Sequence, residues 1–444
     1  MKNIGIIGGG ESGIGAALLA KKLGMQVFVS DAGQLAAHYR QELENHNIPF
    51  EEGGHDIQKL LVTELVIKSP GVPDTAPVIS ALKQNNHRIV SEIEFGFLHY
   101  SGLTIAITGS NGKTTTSGLL YHLLKTAGLN AALGGNYGRS FARILAEDNP
   151  DIMVLEISSF QLDDVVSFRP HIAILLNITP DHLDRYAYSM DNYAGAKFRI
   201  AMNQMEGDYL IYNAEDPEIL SRISHLGGKA QKRAVTVSEL NAGIPMLEGS
   251  EPFQLSLQGR HNLFNAACCV EACRIMGVSE TSIAEGLRTF VNLPHRLESC
   301  GTIGGIEFVN DSKATNVDSV YYALEAMNRP VVWIAGGTDK GNDYGPLFKL
   351  AETKIKALIC LGLDNEKLKH SFLSHIPVIV ETTKVSEAVE LGLKLGSPGD
   401  VVLLSPACAS FDLFKNYMDR GDQFRSAVHA KVRLFSNTTE TIAN

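Results

Sequence analysis

Short apolar runs recur along the chain, each of strand length and each closed by glycine or polar residues. They read NIGII, QVFVS, ELVIK, LTIAIT, IMVLE, IAILL, IEFV, VVWIA, ALICL and VVLL in chain order. Longer stretches with helical spacing separate them, such as VDSVYYALEAMN at 317–328. Repeated alternation of this kind predicts an α/β fold with largely parallel sheets covered by helices. Ligands on such sheets gather at the carboxyl ends of the strands. The polar residues just past each run are therefore where chemistry is expected.

Three segments emerge: 1–93, opening with NIGIIGGGESGIGAALLAKKLG; 94–297, holding LTIAITGSNGKTTT; and 298–444, holding the last four runs. Residues 240–262 read less regularly, as short strands and turns leading into a helix. A chain of 444 residues is long for a single core, so several domains are expected. Apolar content of 44% and charged content of 20% describe an ordinary globular protein.

No apolar run reaches the length of a membrane span. The start, MKNIGIIGGG, runs straight into a strand and glycine turn rather than a signal peptide. Cytoplasmic residence is the expectation. Six cysteines show no C-x-x-C or zinc spacing, and Cys269 and Cys273, one helical turn apart, read as buried thiols. A net charge of −10 argues against a nucleic-acid surface. Anionic substrates remain open to local loops.

The densest chemistry lies at 108–116, TGSNGKTTT. A strand, a glycine turn and Lys113-Thr114 at the start of an apolar helix bring backbone N–H groups and an ammonium to one point, which suits a polyphosphate. The usual G-x-x-x-x-G-K-[ST] spacing is broken, because Ile107 stands where the first glycine belongs. Gly109 and Gly112 bracket a shorter turn. By chemistry, Lys113 reaches the β/γ-phosphates and the Thr114 hydroxyl sits on Mg²⁺. The bland alternative is a strand–turn–helix connection with a surface lysine.

Gly8-x-Gly10-x-x-Gly13 follows the first strand, and Asp31 follows the second. That pattern suits a dinucleotide, with Asp31 placed for a ribose hydroxyl, but a nucleotide diphosphate would satisfy the same helix N-terminus. A glycine turn serving packing alone is the competing reading. Glu11, inside the loop, would repel phosphate and is expected to point away. Glu156 ends IMVLE, where a carboxylate can hold Mg²⁺. DHLDRY (181–186) concentrates Asp181, His182, Asp184 and Arg185 after IAILLNIT. Three polar loops, NDSKATN (310–316), GGTDKGND (336–343) and the SPACASFD run from 405, follow three strands of the last segment. Together they suggest a pocket for a small polar substrate. Lys197, by composition alone, reads as an exposed helix lysine.

Taken in order, these stretches resemble the Mur ligases of bacterial cell-wall synthesis. TGSNGKTTT, GGNYG (134–138), LEISSFQL (155–162), NITPDHLDRY (177–186), GRHNLFNAAC (259–268), LPHRLE (293–298) and NDSKATN follow the family's sequence of motifs over essentially the whole chain. The shortened loop is the family's own variant. KSPGVP, SSFQL, NDSKATN and SPACASFD…NYMDRGDQF point to the branch that adds D-glutamate.

The resemblance implies three domains: a Rossmann-like N-terminal domain (1–93) binding the UDP-substrate, a central P-loop-type ATPase domain with a mostly parallel sheet (94–297), and a Rossmann-like C-terminal domain binding the amino acid (298–444). It implies amide synthesis driven by ATP through an acyl phosphate, with UDP-N-acetylmuramoyl-L-alanine and D-glutamate as the other substrates. Both steps gather negative charge, so Mg²⁺ and cationic groups carry most of the stabilisation.

Carried over residue by residue, Gly109, Ser110, Asn111, Gly112, Lys113, Thr114 and Thr115 hold ATP, with Asn262, Arg296 and Asp311 around it. Thr114 and Glu156 hold one Mg²⁺, while His182 and Lys197 serve a second, Lys197 as a carbamate. Lys113, Glu156, His182 and Lys197 are the catalytic set. Ser12, Asp31 and Ser69 border the uridine diphosphate. Asn136, Ser159 and His182 contact the muramoyl-alanyl portion, and Thr315, Lys340, Ser410 and Tyr417 hold D-glutamate.

Two places depart from the family pattern. No arginine stands beside the expected uracil pocket, and Tyr417 replaces an expected Phe. A monomer is expected, with hinge motion of the third domain closing the site, and neither nucleic acid nor membrane as partner. Another Mur or folylpolyglutamate-type ligase with a different acceptor is the nearest alternative. A nicotinamide-dependent oxidoreductase would leave 108–116 unexplained, and a non-catalytic nucleotide-binding module would leave the strand-end loops without a use.

Overall fold

The computed structural model describes residues 2–240, 244, 252, 253, 255, 257 and 259–442. The irregular stretch expected at 240–262 falls largely outside them. Seventeen strands form three sheets among the described residues. The first holds β1 (Asn3–Ile7), β2 (Gln26–Ser30), β3 (Phe50–Glu51), β4 (Leu65–Lys68) and β5 (Ile89–Ser91), in the order β3-β2-β1-β4-β5. The second holds β6 (Leu103–Thr108), β7 (Ala131–Gly135), β8 (Ile152–Glu156), β9 (Ile172–Leu175), β10 (Tyr209–Asn213) and β11 (Gln231–Val235). Its order is β11-β10-β9-β6-β8-β7.

The third sheet holds β12 (Glu298–Ile303), β13 (Ile306–Asn310), β14 (Val331–Gly336), β15 (Ile355–Leu361), β16 (Ile379–Thr382) and β17 (Val401–Ala407), ordered β12-β13-β17-β14-β15-β16. All pairings in the first two sheets are parallel. In the third, β12 alone runs antiparallel, against β13. The sequence pattern did not announce this edge strand: ESCGTI mixes Ser, Gly and Thr among its apolar residues, and only two of its positions are buried.

The chain divides into two compact units, residues 1–256 with 263–290, and 257–262 with 291–444. In the first, one apolar cluster runs from Ile4, Ile6 and Val29 of the first sheet to Leu155, Ala173 and Leu210 of the second. In the second unit, Val331, Trp333 and Leu403 face one cluster, while Val332, Ile334, Val402 and Leu404 face another. That period-2 division, with both faces covered, explains why these strands read as unbroken apolar runs.

The helix expected over 317–328 runs from Val317 to Ala326. The IMVLEIS and IAILLNIT strands end at Glu156 and Leu175, leaving their polar tails as loops. No helix among the described residues is long and apolar enough to cross a membrane.

Candidate active site

In the first unit the chemistry gathers where β6 passes into the helix Lys113–Thr126. Gly112 is the helix N-cap with φ +84°, and no side chain caps the helix. A Cβ there would sit 2.8 Å from Asn265 Oδ1, so the glycine answers both a left-handed backbone and a close neighbour. The uncapped first turn leaves backbone N–H groups for an anion. Asn177 fixes the loop from the far side, accepting from Asn111 N at 2.8 Å and donating to Asn111 O at 3.0 Å. Ser110 Oγ donates to Thr179 O at 2.8 Å and lies 3.0 Å from the Tyr193 hydroxyl. The loop is thereby held by the segment that follows β9.

Two lysines converge on one carbonyl. Lys113 Nζ donates to Gly109 O at 2.7 Å and to Ser110 O at 2.8 Å. Lys197 Nζ, from the helix Met190–Phe198, donates to the same Gly109 O at 2.8 Å. Lys197 is 2% exposed and lies over the Tyr193 ring at 4.6 Å. The exposed lysine that composition suggested is therefore buried against the phosphate loop. Burial first, and the charge of Lys113 second, hold its pKa well below the usual lysine range, against the pull of Asp181.

Glu156 enters through register. Parallel pairing sets it beside Ile107, one residue before the loop. Its Oε1 accepts from Asn136 Nδ2 at 2.8 Å, while Oε2 is buried without a hydrogen-bond partner. An orphaned carboxylate oxygen beside a phosphate loop fits a hard cation, which Mg²⁺ sites hold by one or two carboxylates together with substrate phosphates. Among the described residues no group of three His, Cys, Asp or Glu could hold a metal by itself. Thr114 and Thr115 are buried in the first turn of the helix.

His182 has φ +51°, its ring 5.1 Å from that of Phe160 and 3.5 Å from Asp181 Oδ2. Arg185 covers the other part of this cluster, 4.0 Å over Phe160. Ser159 is buried at the start of the short helix Ser159–Leu162.

The glycine turn after β1 is closed by its neighbours. Asp31 Oδ2 accepts from Gly9 N at 2.6 Å and Oδ1 from Gly33 N at 2.7 Å. Ser69 Oγ donates to Gly8 O at 3.0 Å. Asp31 and Ser69, expected to border the uridine diphosphate, hold the glycine loop itself in shape. Gly13 is required by packing, since a Cβ would lie 1.8 Å from Gly8 O. Ser12 is half-buried in the helix Glu11–Lys22. Glu11 points away from the loop, as expected: its Oε1 accepts from Arg143 Nε and Ser140 N, each at 2.8 Å.

In the second unit, the adjacent strands β13, β17 and β14 end side by side. Asp311 is buried, bonded to Ser405 Oγ at 2.9 Å. Burial raises its pKa to about 7, and the Ser405 bond opposes that shift. Asp311 Oδ1 also accepts from Leu297 N at 3.3 Å, next to Arg296. Asn262 is buried at the start of the helix Arg260–Ile275. Thr315 is half-buried, Lys340 exposed and Ser410 buried, one on each of the three strand-end loops. Tyr417 opens the helix Tyr417–Ile442, and Lys313 Nζ lies 4.1 Å over its ring.

Three residues in these settings were not singled out from sequence for a role: Asn177, Tyr193 and Lys313. Asn177 opens NITPDHLDRY and Lys313 stands inside NDSKATN, so motif membership was the available signal for these two. All six cysteines are buried and free of disulfides. Cys269 and Cys273 are buried thiols, as expected, and burial raises the Cys273 thiol to about 12.

Comparison with known proteins matches three stretches to family models: the MurD N-terminal domain at residues 3–78, the Mur ligase middle domain at 107–273, and the Mur ligase glutamate ligase domain at 295–408. The UDP-N-acetylmuramoylalanine--D-glutamate ligase of Christiangramia forsetii is 47% identical over 440 residues, covering 96% of this chain and 99% of that protein. Its counterpart in Bacteroides thetaiotaomicron is 46% identical over 442 residues, with the same two coverages, 96% and 99%. Among solved structures, UDP-N-acetylmuramate-alanine ligase from Thermotoga maritima superposes with a TM-score of 0.60 at 19% identity, covering 99% of this chain and 100% of that one. A MurF ligase from the same organism, solved in complex with ADP, gives 0.59 at 15% identity over 84% of this chain and 92% of that one. At those identities the structures speak for the fold. With near-complete coverage by relatives of 45–47% identity, this chain belongs to the Mur ligase family, among its UDP-N-acetylmuramoylalanine--D-glutamate ligases.

Proposed function

We propose that this protein is an ATP-dependent ligase that joins D-glutamate to UDP-N-acetylmuramoyl-L-alanine, a step in building peptidoglycan precursors. The observation that carries the reading is full-length similarity at 47% identity to proteins of that name. The phosphate loop with Lys113 and the orphaned Glu156 oxygen support it.

In this reading the carboxylate of the L-alanyl group attacks the γ-phosphorus of ATP, forming an acyl phosphate and releasing ADP. The amine of D-glutamate then attacks the acyl carbon, loses a proton and expels inorganic phosphate. Lys113 and the amides of residues 109–115 hold the phosphates; both steps collect charge there, and fixed cations and dipoles lower it. Thr114 and Glu156 would hold one Mg²⁺, and His182 and Lys197 a second; the ions supply charge neutralisation and alignment of the phosphates. Asn262, Arg296 and Asp311 attend the nucleotide. Ser12, Asp31 and Ser69 border the uridine diphosphate, while Asn136, Ser159 and His182 take the muramoyl-alanyl part. Thr315, Lys340, Ser410 and Tyr417 take D-glutamate. The three segments 1–93, 94–297 and 298–444 divide the substrates between them, and the nucleotide substrates fit a cytoplasmic enzyme.

Carbamylation of Lys197 belongs to the same reading. Two ammonium groups on one buried carbonyl repel each other. Loss of one proton frees the Nζ lone pair, and its addition to CO₂ with loss of a second proton forms an N–C bond and turns one of them into an oxygen-donor anion. Depleting CO₂ should lower turnover, and bicarbonate should restore it; indifference to both would remove this part.

The decisive experiment is an amino-acid panel in a phosphate-release assay with ATP, Mg²⁺ and UDP-N-acetylmuramoyl-L-alanine. D-glutamate should be the sole strong stimulant. Preference for L-alanine or a diamino acid would move the protein to another ligase of the family.

A further inference from the structure

Among the described residues Arg420 is the largest charged side chain that is fully buried. Its side chain is 1% exposed, and no ion pair to it occurs among the described residues. Every N–H of its guanidinium is instead spent on neutral acceptors. Nε donates to Ser312 Oγ at 2.9 Å and Nη2 to Ser312 O at 2.9 Å. Nη1 donates to Gly336 O at 3.4 Å, and Nη1 and Nη2 both reach Cys408 O at 3.4 Å. Burial lowers its pKa to about 10, which leaves it charged at neutral pH.

The three acceptor residues sit on the three loops that leave β13, β14 and β17, neighbours in the sheet. Each loop carries one residue proposed for the amino-acid substrate: Thr315 after Ser312, Lys340 after Gly336, Ser410 after Cys408. The fourth, Tyr417, opens the helix that carries Arg420, and Ser312 Oγ donates to its carbonyl at 2.8 Å. Direct backbone links run between the loops as well, Thr338 N to Ala409 O at 2.8 Å and Ala407 N to Ala314 O at 2.9 Å. One planar fork therefore touches every segment from which the acceptor pocket would be built.

A hydrophobic side chain of similar size would fill this space without desolvating a charge, and such replacements are commonly neutral or stabilising. Asp412 acts on this charge through space but makes no hydrogen bond to it among the described residues, and a buried cation so weakly compensated gains where a further anion arrives. Resting on the proposed ligase reading, we propose that Arg420 is a positioning residue for the amino-acid acceptor: its fork sets the spacing of the three loops, and its buried charge, paired with no carboxylate, favours a dicarboxylate. Lysine cannot replace it, since an ammonium has three donors and no planar fork.

Arg420→Lys, which keeps the charge, should raise KM for D-glutamate about ten-fold or more while KM for ATP and for the UDP-substrate stays within about two-fold. Arg420→Gln, which loses the charge, should raise it further and narrow the preference for D-glutamate over D-glutamine. Should either arginine variant fail to yield folded protein by circular dichroism, Ser312→Ala removes the Nε acceptor on one loop and should show the same KM split to a smaller extent. Folded variants with a lowered melting temperature or kcat, but with KM for D-glutamate unmoved, would overturn the proposal and leave Arg420 a structural residue. If the wild-type enzyme prefers another amino acid, the D-glutamate reading falls, while the same split measured with that amino acid still decides the role of Arg420.

Discussion

Single residues decide how the loop and the Glu156 carboxylate would work. Lys113→Ala should cut phosphate release by ~10²-fold or more, the scale seen when a fixed transition-state donor is lost. Binding of the UDP-substrate, measured by calorimetry, should be unchanged; loss of both would mean that the two nucleotide sites are misassigned. Asn136 is the group that aims Glu156, through the 2.8 Å bond to Oε1. Asn136→Ala should raise the Mg²⁺ concentration for half-maximal turnover by ~10-fold, as outer-shell losses do at metal sites. A rise in KM for the UDP-substrate alone would make Asn136 a substrate contact only. At this scale the sequence revealed Lys113 and Thr114, because glycines, lysine and helix start are contiguous. It concealed Lys197, whose burial comes from a helix 88 residues away folding onto Gly109 O. Arg420 was equally silent, since its meaning lies in three carbonyls and a hydroxyl on distant loops.

Elements are joined by a few buried carboxylates, and these set a pH response. Glu92, at the start of the helix Glu92–Leu98, accepts from Ala142 N at 2.5 Å, so it caps the helix Phe141–Glu147 from another part of the chain. Burial, with a smaller push from Glu11, raises its pKa to about 8 against a partial offset from that bond. The folded state then holds a proton that the unfolded chain, with an ordinary glutamate pKa near 4.5, has lost. Stability from this group is present below about pH 4.5, drains away as pH rises, and is gone above about pH 8. Glu92→Gln should flatten the fall in urea-unfolding free energy between those pH values, and an unchanged slope would show that Glu92 is ionised in the fold. The order and type of the main elements were legible from apolar runs and glycine turns. The antiparallel β12 and the two-residue β3 were not, because half-exposed or very short strands carry too little periodicity.

At the scale of the whole molecule, the one tryptophan of the chain offers a reporter confined to one of the two compact units. Trp333 is fully buried in the third sheet, its Nε1 donating to Ser405 O at 2.7 Å and its ring edge-on to Phe372 at 5.2 Å. Denaturant melts followed by its fluorescence should report residues 257–262 and 291–444 alone, and should not coincide with melts followed by circular dichroism. Coincident transitions would show the two units to unfold together. Sequence by itself determined the α/β class, the phosphate loop, the family and the strand ends where polar residues collect, because each is written in neighbouring residues whose periodicity and backbone needs are local. Only the tertiary structure decided that Lys197 and Lys113 share one carbonyl, that Glu156 keeps a bare oxygen beside the loop, and that one buried guanidinium ties three loops. Those facts depend on strand register and on which distant side chains exclude water, and neither is fixed until the sheets have formed.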